Sequence, residues 1–246
     1  MKINRENYKM IFVASGCIFY VLLSMIFRDV PFFWDSVIQS ENAHYFFENN
    51  FSSFILPASS DNGHPPLFAL YLAGWWSLFG KTLVVSHIAM LPFAFLLVNS
   101  IINFVWKRKG LGASLAALII LMAEPTITSQ FLFLSPDFAL AALFSGALYS
   151  LCDKKYLFLF FCLLGISLLS IRGLPLLAAL FLTSLIIHKK DYKKNILVFI
   201  AAVIPVAVWF LFHYAQTGWY LSDPGRQEHR ALADAHQIFR NAGYVF

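Results

Sequence analysis

Eight apolar runs, at 10–27, 66–80, 83–105, 111–134, 138–151, 156–170, 174–187 and 196–212, are separated by short polar breaks. The longer ones approach the ~20 residues that a helix needs to cross ~30 Å of hydrocarbon. Between the first and third runs the pattern changes. "WDSVIQSENAHYFFENN" sets Ile38, Tyr45 and Phe46 at helical spacing, with Glu41 and Glu48 elsewhere on the surface, which predicts an amphipathic helix over 36–50. "FSSFILPASSDNG" then reads as a connecting loop, with turn residues at Asp61, Asn62 and Gly63.

Where the basic residues fall decides which runs cross. Twelve of the eighteen Lys and Arg residues lie in four clusters: Lys2/Arg5/Lys9, Lys107/Arg108/Lys109, Lys154/Lys155 and Lys189/Lys190/Lys193/Lys194. If all four are cytoplasmic, an even number of crossings must separate each from the next. The last three clusters obey this directly. Three apolar runs lie between the first two clusters, so one of them must not cross. The run 66–80 is the shortest, spanning only ~22 Å as a helix. It carries Tyr71, Trp75 and Trp76, residue types that favour the membrane–water boundary. It is therefore expected to lie in the outer interface. The predicted fold is an all-α integral membrane protein with about seven transmembrane helices, N-terminus cytoplasmic. Its transmembrane domain covers 1–214, with an external loop at 28–82 that holds two interfacial helices, 36–50 and 66–80. Residues 215–246 are expected to form a further external loop.

Composition supports the membrane assignment: 59% of the residues are hydrophobic and 13% charged, more apolar surface than a soluble domain of 246 residues could bury. The basic residues and apolar run at the N-terminus lack a small-residue cleavage site, so an uncleaved signal anchor is expected. The net charge of +5 comes from orientation clusters, and no nucleic-acid partner is predicted. Cys17, Cys152 and Cys162 are odd in number and lie within or at the ends of apolar runs; a disulfide framework is not expected.

Five residues on the predicted external side could carry chemistry. Asp35, in "PFFWDS", is a carboxylate among aromatics, suited to a general base; it is equally a favoured N-cap for the helix that follows. His64, before Pro65 and Pro66, could bind phosphate or shuttle a proton, or be a loop histidine ahead of a helix. His87 stands at the start of the run 83–105 as an interfacial polar residue. Asp137, in "LSPDF", fits a helix start capped by Ser135 with Pro136 in the first turn, and on this topology shares its compartment with Asp35. Arg172, in the short turn "SIRGLP", is either a snorkelling anchor or a clamp on a lipid-linked phosphate. Glu124, before Pro125 and part-way along a span, marks either a water-filled cavity or an early helix end.

Together these segments resemble the GT-C superfamily of membrane glycosyltransferases, in particular the protein O-mannosyltransferase and lipid A aminoarabinose transferase group. "FFWDS" looks like that group's aspartate motif, and "GHPPLFALYLAGWWSLFG" is similar to its HPPL-to-LFG helix. "SPDFALAALFSGALY" and "IRGLPLLAAL" resemble its later acidic and basic-Gly segments. The resemblance implies inverting transfer of a sugar from a polyprenyl-phosphate-linked donor to an acceptor protein, lipid or glycan, on the external or periplasmic face of the cell membrane. Asp35 would be the catalytic base. His64, His87 and Arg172 would stand near the donor phosphate, and Asp137 would line the cavity. Ser36 follows Asp35 where the mannosyltransferases have a second acid, and His87 stands where an arginine is common. Members of the group are longer, so the resemblance covers an N-terminal half, with 215–246 expected to be a truncated loop. No cofactor is implied beyond the donor substrate, and no ligand spacing supports a divalent metal. The other reading is a non-enzymatic membrane protein, a carrier or assembly subunit that binds polyprenyl lipids. Candidate residues gathered at one face favour surface chemistry over alternating access.

Overall fold

The structure is a computed structural model that describes residues 5–33, 35–57, 60–61, 63–187 and 192–220. Among these it is all-helical: α1 (Arg5–Ile26), α2 (Asp35–Glu48), α3 (Leu67–Phe79), α4 (Leu83–Lys109), α5 (Leu111–Ala123), α6 (Pro125–Leu132), α7 (Pro136–Cys152), α8 (Tyr156–Leu169), α9 (Gly173–Ile187) and α10 (Tyr192–Thr217). Three of them, α1, α4 and α10, are long and apolar enough to cross a membrane. A fourth span results if α5 and α6, bent by 52° at their junction, are counted together. α3, α7, α8 and α9 are shorter apolar helices.

α4 is the central element, packed against α1, α3, α5 and α7; α7 in turn packs on α8, and α8 on α9 and α10. The bundle core is one continuous apolar cluster that includes Tyr20, Leu97, Val98, Phe131, Phe138, Leu163 and Ile166. A second cluster joins α2 and α3 to the first turns of α4 through Ala43, Phe46, Leu72, Ala73, Trp76 and Ala89.

Three prolines interrupt the helical ladders, and at one of them, Pro125, the freed carbonyl is answered by a hydroxyl from another helix. Pro125 has no N–H to offer the Leu121 carbonyl one turn earlier, and the Tyr20 hydroxyl donates to that oxygen at 3.2 Å. Pro92 lies inside α4 and Pro205 inside α10. Three residues before each, Tyr71 donates to the Ala89 carbonyl at 2.6 Å and Ser167 to the Ala202 carbonyl at 3.1 Å. In apolar surroundings a freed carbonyl such as that of Leu121 must find such a donor, while the bonds to Ala89 and Ala202, beside the prolines, mark contacts between helices. Together these bonds tie α1 to α5, α3 to α4 and α8 to α10. At the Glu124–Pro125 break the earlier of the two readings of Glu124, a water-filled cavity, gives way to the second. Glu124 is exposed, and its carboxylate accepts from the Thr126 N–H at 3.0 Å as the cap of α6.

Charged residues separate by end. At one end, Lys107 donates to Asp153, Arg108 lies 3.8 Å from the same carboxylate, and Lys155 donates to the Tyr149 hydroxyl at 2.9 Å. Clusters 107–109 and 154–155 therefore meet. Asp137, Ser170 and Arg172 sit at the other end of the same helices, since α7 begins at Pro136 and α8 finishes at Leu169. The three cysteines are free, and Cys162 is buried in the core.

Candidate functional site

The turn from α6 into α7 begins with Leu134, fully buried with φ of 59°, a left-handed conformation that costs a non-glycine residue on the order of 1 kcal/mol. Burial of its side chain holds it there. Ser135 then accepts from the Asp137 N–H at 3.2 Å and Pro136 occupies the first turn, the start read from the sequence. Asp137 is thereby presented at the mouth of the bundle, 41% exposed.

Arg172 reaches Asp137 from the turn between α8 and α9. Its Nη1 donates to Asp137 Oδ2 at 2.7 Å, and the pair stays accessible, with the arginine side chain 53% exposed. The turn that carries Arg172 is tight: a Cβ on Gly173 would lie 2.2 Å from the Ile166 carbonyl oxygen, so only glycine fits. Ser170 Oγ accepts from the Arg172 N–H at 3.3 Å.

His64 joins the same turn from the loop before α3. Its Nδ1 accepts from the Ile171 N–H at 3.4 Å and lies 3.3 Å from Ser170 Oγ. With Nδ1 as acceptor, a neutral imidazole carries its proton on Nε2. His64, Asp137 and Arg172, flagged separately in the sequence and up to 108 residues apart, are thus brought to one turn. His87 is placed differently. It is fully buried, and Nε2 donates to the Val30 carbonyl at 3.0 Å, tying the segment after α1 to the start of α4. Its Nδ1 has no partner among the described residues.

The backbone of Asp35 opens α2, one residue from the predicted start; its side chain lies outside the described residues. Its neighbours in sequence, Phe33 and Ser36, line a cavity of about 330 Å³ together with Ser129, Gln130, Phe133, Ser135 and Asp137. The Phe33 ring meets Phe133 at 5.2 Å, which holds the start of α2 against the α6–α7 turn. One hollow is therefore bordered by the segment containing Asp35 and by Asp137. Among the described residues no three His, Cys, Asp or Glu side chains converge.

Two residues escaped the sequence reading. Asp61 and His213 are both almost fully buried and meet at 2.7 Å between Oδ2 and Nε2. Asp61 Oδ1 accepts from the Gly63 N–H at 2.9 Å, and His213 Nδ1 donates to the Trp219 carbonyl at 3.0 Å. Trp209 stacks on the imidazole at 4.9 Å, and Trp219 meets it edge-on at 4.6 Å. One signal was available. Asn195, Phe199, Ala202, Val206 and His213 recur at helical spacing and form the buried stripe of α10, so His213 lies on the inward face. Asp61 read only as a turn residue.

No protein-family model, curated protein or solved structure matches the chain.

Proposed function

We propose that the protein is an inverting glycosyltransferase that moves a sugar from a polyprenyl-phosphate-linked donor to an acceptor at the non-cytoplasmic membrane face. The observation that carries this reading is the gathering of His64, Asp137 and Arg172 beside the hollow flanked by Phe33 and Ser36. Asp35 is the base. It takes the proton of the acceptor hydroxyl or amine as that atom attacks the anomeric carbon from the face opposite the phosphate. The bond between anomeric carbon and phosphate oxygen breaks, and its electron pair leaves with the polyprenyl phosphate. Arg172, oriented by Asp137, and His64 offset the negative charge that grows on the departing oxygen.

Such a site must face away from the cytoplasm. Its position at the opposite helix ends from the paired basic clusters supports that orientation, because Lys and Arg are retained inside. α7, α8 and α9, with 17, 14 and 15 residues, complete the seven spans. At ~1.5 Å per residue the two shorter ones cover ~21–22 Å, a mismatch that local bilayer thinning accommodates. α2 and α3 lie as interfacial helices at the depth of lipid headgroups.

Sugar transfer from polyprenyl-phosphate donors by the full-length protein in nanodiscs tests the reading. Asp35→Asn should lose nearly all transfer while still binding the donor. Retained transfer in that variant sinks the assignment of the base. Donor binding without transfer by the unmodified protein would make it a lipid-binding carrier.

A further inference from the structure

His64 lies in the loop before α3, which begins at Leu67. What fixes it lies beneath. Asp61 Oδ1 accepts from the Gly63 N–H at 2.9 Å, and Gly63 has φ of 72°. Asp61 Oδ2 is held by His213 near the end of α10. His213 is itself immobilised between Trp209 and the Trp219 carbonyl. Both ring nitrogens of His213 face oxygen atoms, Asp61 Oδ2 and the Trp219 carbonyl. The Ala202 carbonyl of α10 also accepts from the Ser167 hydroxyl of α8, the helix that ends at the Ser170–Arg172 turn. α10 is therefore bonded both to the His64 loop and to the helix leading to Arg172.

We propose that Asp61 and His213 are positioning residues: the buried pair sets the depth and angle of the His64 loop against the Ser170–Arg172 turn, so that His64 and Arg172 engage one phosphate together. This rests on the glycosyltransferase reading for the ligand, though not for the geometry. Neither residue touches the hollow. A buried polar group stripped of its partner is costly, so loss of either side chain releases the loop in the same way. The effects of the two should not add.

The test uses the full chain in nanodiscs, labelled with ¹⁵N at histidine, with ring signals assigned by His64→Gln and His87→Gln. Asp61→Asn and His213→Gln should each move the His64 ring signals toward those of a solvent-exposed histidine, the double variant no further, and the His87 signals should stay in place. In transfer assays the same variants should raise the donor KM about tenfold and leave the acceptor KM unchanged. General destabilisation would instead reduce active protein and leave both constants alone. Unmoved His64 signals in both single variants, or His87 signals moving equally, would overturn the proposal. If neither variant folds, hydrogen exchange at the Gly63 amide of the unmodified protein decides: slow exchange supports the clamp, and exchange at the rate of an open loop overturns it. If the ring signals respond as expected but no variant, nor the unmodified protein, transfers sugar, the clamp stands and the glycosyltransferase reading falls.

Discussion

Around Leu163 and Ile166 of α8 the chain is held by hydrocarbon: both side chains are fully buried in the continuous apolar cluster of the bundle. Around Asp61 and His213 it is held by a carboxylate, an imidazole, backbone groups and indole rings. The first region is fixed by close packing, whose many small contacts carry little direction individually. The second is fixed by directional bonds, because a misplaced buried polar group loses its partner and cannot recover it from lipid or apolar neighbours. The bundle sets where the helices run; the polar region sets where a loop without regular structure stops. The His64–Asp137–Arg172 site stands above both, half open to solvent and built from turns.

That contrast can be broken from either side. The largest effect is expected at the site. Under the proposed function, Arg172→Ala should cut transfer by a factor of about 10²–10³, the loss typical of a removed charge-stabilising donor, while leaving the thermal midpoint of the purified protein within a degree or two. A matching fall in thermal stability would mean that Arg172 serves the fold. Next comes the bundle, where Leu163→Ala should cost about 3 kcal/mol of stability by cavity formation. Per folded molecule its donor KM should not change, and denaturant titration in mixed micelles together with kinetics separates the two. Smaller again is Tyr20→Phe, which strips the Leu121 carbonyl of its donor beside Pro125. About 1 kcal/mol is expected, and a value near zero would show that the break in α5–α6 repairs itself without α1.

The smallest effect is expected at the basic end, through pH. Burial pushes the Asp153 carboxyl up, but the hydrogen bond and charge of Lys107, with the charge of Arg108, outweigh it and hold the group below its ordinary value. A carboxylate with a depressed folded pKa contributes stability that is fully present above its unfolded pKa and is lost as pH falls through the folded one. Because Lys107 is half exposed, the contribution is only about 0.5 kcal/mol. Thermal midpoints of the native protein and Asp153→Asn should therefore differ slightly at neutral pH and converge in strong acid. A gap that persists there would put the effect in packing.

Much of the fold was legible in the sequence. The helix expected at 66–80 is found as Leu67–Phe79, its limits written in local chemistry by prolines at the entry and Gly80 at the exit; the one expected at 36–50 is found as Asp35–Glu48, with Phe46 buried but Ile38, assigned to the same apolar face, 40% exposed. Ser135 and Pro136 announced the start of α7 in the same way. The seven-span count is a different kind of inference. It came from charge bookkeeping across the whole chain, and the helices whose length and apolarity alone qualify them to cross are three or four.

Of the site, the sequence supplied members without partners. Asp137 and Arg172 each stood out as a charge beside an apolar run, yet each was explained as well by a helix start or a snorkelling anchor. Only packing of α7 against α8 brings Arg172 Nη1 to 2.7 Å from Asp137. His87 stood out equally, and packing turns it inward to the Val30 carbonyl. Asp61 and His213 are separated by 151 intervening residues and carry no shared motif, so nothing local relates them. Apolar periodicity, caps and prolines act within a few residues, and the sequence by itself therefore determined the helices and most of their ends. Which hydroxyl reaches which helix, which acid meets which base and which loop is bonded to α10 depend on helices meeting across the bundle, and the tertiary structure alone decided them.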